Sequence, residues 1–148
     1  MSTCKNGAAN NALALMPTLD DGGYTCVLSD GKNTVTSKER GVAPLLQMIE
    51  GGGDYRGYFA ADKVVGAAAA LLYAYMGVAQ LCAHVMSERA AQVCELHGIA
   101  YRCDMIVPHI INRRGDGVCP MERAVAQTDD PRAAVSIIAD KLKAMNAT

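Results

Sequence analysis

The sequence predicts an α/β domain of three layers, α/β/α, around a mixed sheet, and three observations predict it. Between residues 56 and 107, apolar runs of strand length alternate with longer runs of helical character. Strand-helix-strand alternation at this spacing implies right-handed crossovers and parallel pairing. Upstream, Asp30-Gly31 separates two short alternating runs, the sequence signature of an antiparallel hairpin. The chain has 148 residues, 51% of them hydrophobic and 20% charged, enough for one domain with a sizeable core.

Taken in order, residues 1–22 read as a weakly patterned leader, with a short helix over 10–16 before Pro17, and residues 23–148 as the domain. Strands are predicted over 24–29 and 32–37, and a helix over 41–50, closed by Gly51-Gly52-Gly53. The three glycines invite a phosphate-loop reading, but no GK[ST] follows, which leaves a flexible connection. Next come a strand over 56–61, a helix over 62–76, a strand over 78–86, a helix over 87–97 and strand material over 99–107. The run over 78–86 is apolar on both parities apart from Gln80 and His84, as in a central strand covered on both faces. Two closing helices follow, over 120–126 and 131–145. The second opens on Asp129-Asp130-Pro131, a cap and a first-turn proline.

Composition excludes several function classes. A net charge of -1 without a basic block argues against a nucleic-acid surface. The apolar run over 64–76 is roughly 13 residues, short of the roughly 20 a bilayer requires, so no membrane span is expected. The first 20 residues carry one Lys and no continuous apolar core, so the expected setting is cytoplasmic. Six cysteines, with no CxxC pair, lack the zinc-finger and dithiol signatures, and in a reducing setting most read as small core hydrophobes. Neither a metal nor a cofactor is expected.

In an open α/β sheet, ligands bind beyond the carboxyl ends of the parallel strands, where helix N-termini offer free amides. Asp62-Lys63 falls at the first predicted junction and Ser87-Glu88 at the second. Asp62 and Ser87 either cap their helices or line a cleft. Lys63 opposes a helix dipole and calls for a partner: Asp62, Glu88 or an anionic ligand. A second stretch, IVPHIINRRGDGVCPME, supplies His109 as an acid-base candidate and Asn112 and Arg113 as loop donors. It ends with Cys119 at a helix start and Glu122 in the first turn. A cysteine at such a position tends toward thiolate, making Cys119 a candidate nucleophile; the competing reading is an unreactive packed thiol. His84 and His97 read as structural.

The segments ADKVVGAAAALL, HVMSERA, HGI, VPHIINRRGDGVCPME and DDPRAA, in this order, resemble a small prokaryotic family of uncharacterised proteins with a cytidine-deaminase-like fold. The resemblance runs from about residue 24 to the C-terminus and implies an antiparallel pair feeding parallel strands, with helices on both faces. Zinc deaminases of that fold carry HxE and PCxxC at two helix starts. The matching junctions here read Asp62-Lys63-Val64 and Ser87-Glu88-Arg89, so the resemblance implies a shared pocket location without zinc-activated water.

The function expected is therefore binding of a nucleotide- or nucleoside-type small molecule in a cleft at the helix N-termini. The residues are Asp62, Lys63, Ser87 and Glu88 on one wall, with His109, Asn112, Arg113, Cys119 and Glu122 on the other. Two other readings stand beside it: an enzyme with Cys119 as nucleophile, and a non-catalytic protein whose apolar terminal helix permits a homodimer.

Overall fold

The structure is a computed structural model that describes residues 9–112 and 114–146, together with the backbone of residues 4–6. Its strands are β1 (Cys4–Asn6), β2 (Cys26–Ser29), β3 (Thr34–Ser37), β4 (Phe59–Val65), β5 (Gln80–Ser87) and β6 (Ala100–Val107). Its helices are α1 (Asn10–Leu13), α2 (Met16–Gly22), α3 (Ala43–Glu50), α4 (Ala67–Met76), α5 (Glu88–Leu96), α6 (Pro120–Ala124) and α7 (Pro131–Asn146). All six strands join one sheet in the order β1-β6-β5-β4-β2-β3. The three central strands run parallel, Asp62 level with Ala83 and Ala83 level with Cys103. β2 pairs antiparallel with both β3 and β4, and β1 antiparallel with β6. This is the mixed α/β sheet, flanked by helices, that the alternation predicts.

Strand parity divides the side chains between two layers. Cys26, Leu28, Ala60, Leu81 and Ala83 face the larger core, which α3, α4, α5 and α7 complete with Leu45, Leu72, Tyr73, Val93 and Ile138. Val27, Ala61 and Cys82 face the other way, against Ala12, Met16 and Leu19 of α1 and α2. Residues 10–22 thus cover part of the second face. Pro17 lies in the first turn of α2, where its fixed φ suits a helix start, rather than closing a helix before it. Gln80 on β5 accepts the backbone N–H of Asn11 at 2.9 Å and that of Ala12 at 3.2 Å, tying α1 to the sheet.

One boundary departs from the sequence reading in a way that moves the site. The helix expected from Asp62 starts at Ala67, and β4 continues through Val65. The β-branched pair Val64-Val65 extends the strand, pairing with Val85 and Met86, and Gly66 makes the turn in extended conformation. Asp62 and Lys63 are therefore strand residues, and the helix-dipole argument for Lys63 does not apply. The hairpin also differs, with residues 30–33 as its loop: Asp30 Oδ1 accepts the N–H groups of Lys32 at 2.8 Å and Asn33 at 2.7 Å. α4 is enclosed almost wholly, with Ala67 to Tyr73 all buried, and ends at Gly77, whose φ of 78° is left-handed. Cys103 is disulfide-bonded, contrary to the expectation of reduced cysteines, whereas Cys26, Cys82, Cys94 and Cys119 are free. Among the described residues no helix is long and apolar enough to cross a membrane.

Candidate functional site

The predicted site residues fall into three groups. The first centres on Asp62. Its side chain turns toward α4, where the fully buried Tyr73 donates its hydroxyl to Asp62 Oδ2 at 2.7 Å. The backbone N–H of Val64 lies 3.3 Å from Asp62 Oδ1, and Cys26 is the cross-strand partner of Asp62. Burial pushes the Asp62 carboxyl up to about 7, against the lowering effect of the Tyr73 hydrogen bond. The same burial, with the Asp62 charge adding to it, pushes the Cys26 thiol up to about 12 and Tyr73 well above its ordinary value. Lys63, the next residue, is exposed; its backbone N–H is 3.2 Å from the Thr25 carbonyl.

Glu122 organises the second group. Its carboxylate accepts the backbone N–H of Ala67 through Oε1 and that of Ala68 through Oε2, both at 3.0 Å. Ser87 Oγ lies 3.5 Å from Glu122 Oε1 and also caps α5, accepting the Ala90 N–H at 3.1 Å. Gly66 makes the contact possible: a Cβ there would meet the Glu122 carboxyl at 2.5 Å. The free amides of α4, where the sequence placed a ligand, are thus satisfied from within the chain by α6. Glu88 is exposed in the first turn of α5, where a negative charge suits the helix dipole.

The third group is the hairpin between β6 and α6. Ile111 and Val118 form an antiparallel bridge, and the Asn112 N–H donates to the Gly117 carbonyl at 2.8 Å. Asn112 Nδ2 donates to Asp116 Oδ1 at 2.9 Å, while its own Oδ1 accepts the Asp116 N–H at 3.2 Å. His109 is exposed, and Cys119 is half-buried at the start of α6 with no side-chain capping bond. Arg113 lies outside the described residues. Between this hairpin, α6 and α7 opens a cleft of about 930 Å³, with Arg114, Asp116, Arg123, Asp140 and Lys141 among its lining residues.

Of the residues expected to share one site, the structure joins Ser87 with Glu122 and keeps Asn112 in the cleft wall. Asp62 instead belongs to the buried contact with Tyr73 and Cys26. Arg123 and Lys141 escaped the sequence reading because each reads as an ordinary charge on an amphipathic helix. The Asp140-Lys141 step, facing the same way as Ile137 one turn earlier, is the trace they leave. His84, structural by its sequence, is tied to two carboxylates. Its ring lies 2.7 Å from both Asp20 Oδ1 and Asp104 Oδ2, and these carboxylates raise its pKa. Among the described residues no group of three or more His, Cys, Asp and Glu side chains is placed to hold a metal ion.

Fold and cleft define an α/β domain with a mixed sheet flanked by helices and an open charged groove beside its last two helices. The chain belongs to the TM1506 family, described as a domain of unknown function (DUF1893), whose model matches residues 14–142. The crystal structure of a DUF1893 family protein, TM1506 from Thermotoga maritima, superposes with a TM-score of 0.81 at 24% identity. The match covers 95% of this chain and 97% of that one, and at this identity it shows the shared fold. No curated protein matches the chain.

Proposed function

We propose that the chain is a zinc-free, deaminase-like domain that binds a nucleotide- or nucleoside-type small molecule in the cleft between the 110–119 hairpin, α6 and α7. The cleft itself carries this reading. Its volume of about 930 Å³ falls within the range of small-molecule sites. Its walls combine the cations Arg114, Arg123 and Lys141 with the apolar groups of Val118, Pro120 and Ile137. A ligand with a flat apolar part and a polar or anionic part suits such a lining. The sequence resemblance to an uncharacterised family with a cytidine-deaminase-like fold, at whose two junctions the zinc-ligand motifs are missing here, supports a nucleoside-like ligand without metal-activated water. Relative to the sequence expectation, the ligand moves away from the amino end of α4, which Glu122 occupies.

The test is a thermal-shift series on the full chain with nucleosides and nucleotides of all four bases, repeated on Ala124→Trp, which fills the cleft from α6. A ligand at about 100 times its Kd adds about 2.7 kcal/mol, an upward shift of several degrees. The expected result is a base-selective shift that the Trp variant loses while keeping its unliganded Tm. Absence of any shift at millimolar ligand would overturn the reading.

A further inference from the structure

Gly117 lines the cleft where Asn112 and Arg123 meet, and nothing in its own backbone calls for glycine. Its φ lies outside the left-handed region, in contrast to Gly115, whose φ is 75°. No neighbour crowds it either. A Cβ at Gly117 would have Asn112 Nδ2 at 3.6 Å and Arg123 Nη2 at 3.8 Å as its nearest surroundings, both ordinary contacts. Those two atoms are both N–H donors, so a side chain at Gly117 would occupy the space that the donors border.

Each donor has capacity to spare. Asn112 Nδ2 spends one N–H on Asp116 and retains the other. The Arg123 guanidinium makes no ion pair among the described residues, and neither does Lys141, which lines the same cleft from α7. Asp116, a carboxylate of the same lining, has a cation of its own in Arg114, 4.0 Å away. Three cations against Asp116 and Asp140 leave the cleft lining with one net positive charge.

Resting on the cleft assigned above, we propose that this part of it is an oxyanion subsite and that the ligand is phosphorylated, its phosphoryl group seated at Gly117. Arg123 offers a planar fork that matches two phosphoryl oxygens, Asn112 a neutral N–H, and Lys141 a point charge. The absent side chain at Gly117 lets the anion approach the backbone. The sugar and base then lie along Val118, Pro120 and Ile137.

Calorimetric titration of the full chain with ribonucleoside diphosphates, their parent nucleosides and inorganic pyrophosphate tests the subsite. The variants are Arg123→Gln, Arg123→Lys and Gly117→Val, with circular dichroism melting as the folding control. The diphosphate should bind about tenfold or more tighter than its nucleoside, and Arg123→Gln and Gly117→Val should each remove that advantage. Arg123→Lys should recover part of the diphosphate affinity that Arg123→Gln loses. Equal affinities for diphosphate and nucleoside, or a preference surviving both variants, would overturn the subsite and leave the cleft reading standing. Failure of every compound to bind would remove the cleft reading and the subsite with it.

Discussion

The Glu122 carboxylate and the Ala67 amide meet at 3.0 Å across 55 residues of sequence, and the Ala68 amide completes a two-point cap. This contact satisfies donors at the start of a largely buried helix, at a part-buried position where losing the carboxylate leaves them poorly served. Glu122→Ala is therefore expected to cost about 2 kcal/mol, read as a lower urea midpoint at unchanged m-value. Gly66→Ala should destabilise the parent chain, because its Cβ would lie 2.5 Å from the Glu122 carboxyl. Added to Glu122→Ala, the same change should cost little, since its backbone conformation at Gly66, φ -95° and ψ -176°, is open to any residue. Additive losses in that double-mutant cycle would show that the two positions do not touch.

Asp62 makes stability depend on pH in a direction opposite to that of a paired carboxylate. Burial raises its pKa from 3.8 to about 7, so the folded chain holds the proton more tightly than the unfolded chain. Its contribution is fully present below about 3.8 and is lost as pH rises through about 7. Asp62→Asn, which carries no charge at any pH, should flatten the stability curve between these limits and gain on the parent at the alkaline end. Denaturant midpoints across the range check this, and parallel curves for the two proteins would refute it.

His84 gives the α1–α2 layer a related dependence. Its pKa is raised, first by the hydrogen bond to Asp104 and then by that to Asp20. The stability it adds is whole below its ordinary value of 6.5 and is lost as pH rises through the higher folded value. Because the ring is more than a third exposed, solvent screens the effect and its size is modest. His84→Ala should speed amide exchange in α2 selectively, with α4 amides in the same sample as the reference. Equal acceleration in both helices would mean that the histidine supports the whole fold and not this layer.

How far the sequence could carry the reading follows from the range of each interaction. The parallel core was legible because β5 is apolar on both parities, and Ser87 was legible as a cap because its bond to Ala90 spans three residues. Asp130 likewise marks the start of α7, accepting the Arg132 N–H at 3.1 Å. The β4–α4 boundary was not legible. Asp62-Lys63-Val64-Val65 suits a helix start by its charges and a strand by its β-branching, and pairing with β5 decides in favour of the strand. The Glu122 cap spans 55 residues and the Tyr73–Asp62 bond joins a strand to the following helix, and no local pattern announces either. Residues 10–22 lack a strong period because α1 and α2 are short and only one side of each meets the sheet, through Ala12, Met16 and Leu19.

The free cysteines should separate by reactivity according to their surroundings. Burial pushes Cys26 and Cys94 up to about 12 and Cys82 up to about 11, which leaves almost no thiolate at neutral pH. Cys119 is half-buried and outside the sheet, beside the cleft proposed for the ligand. Iodoacetamide at about pH 8 should therefore label Cys119 first, and the other three only on the timescale of global unfolding. A ligand seated in the cleft should slow that first reaction, because Cys119 lies between the lining residues Val118 and Pro120. Peptide mapping by mass spectrometry resolves the order. Early labelling of Cys82 would instead show that the α1–α2 layer opens more readily than its two polar ties to β5, Gln80 and His84, imply.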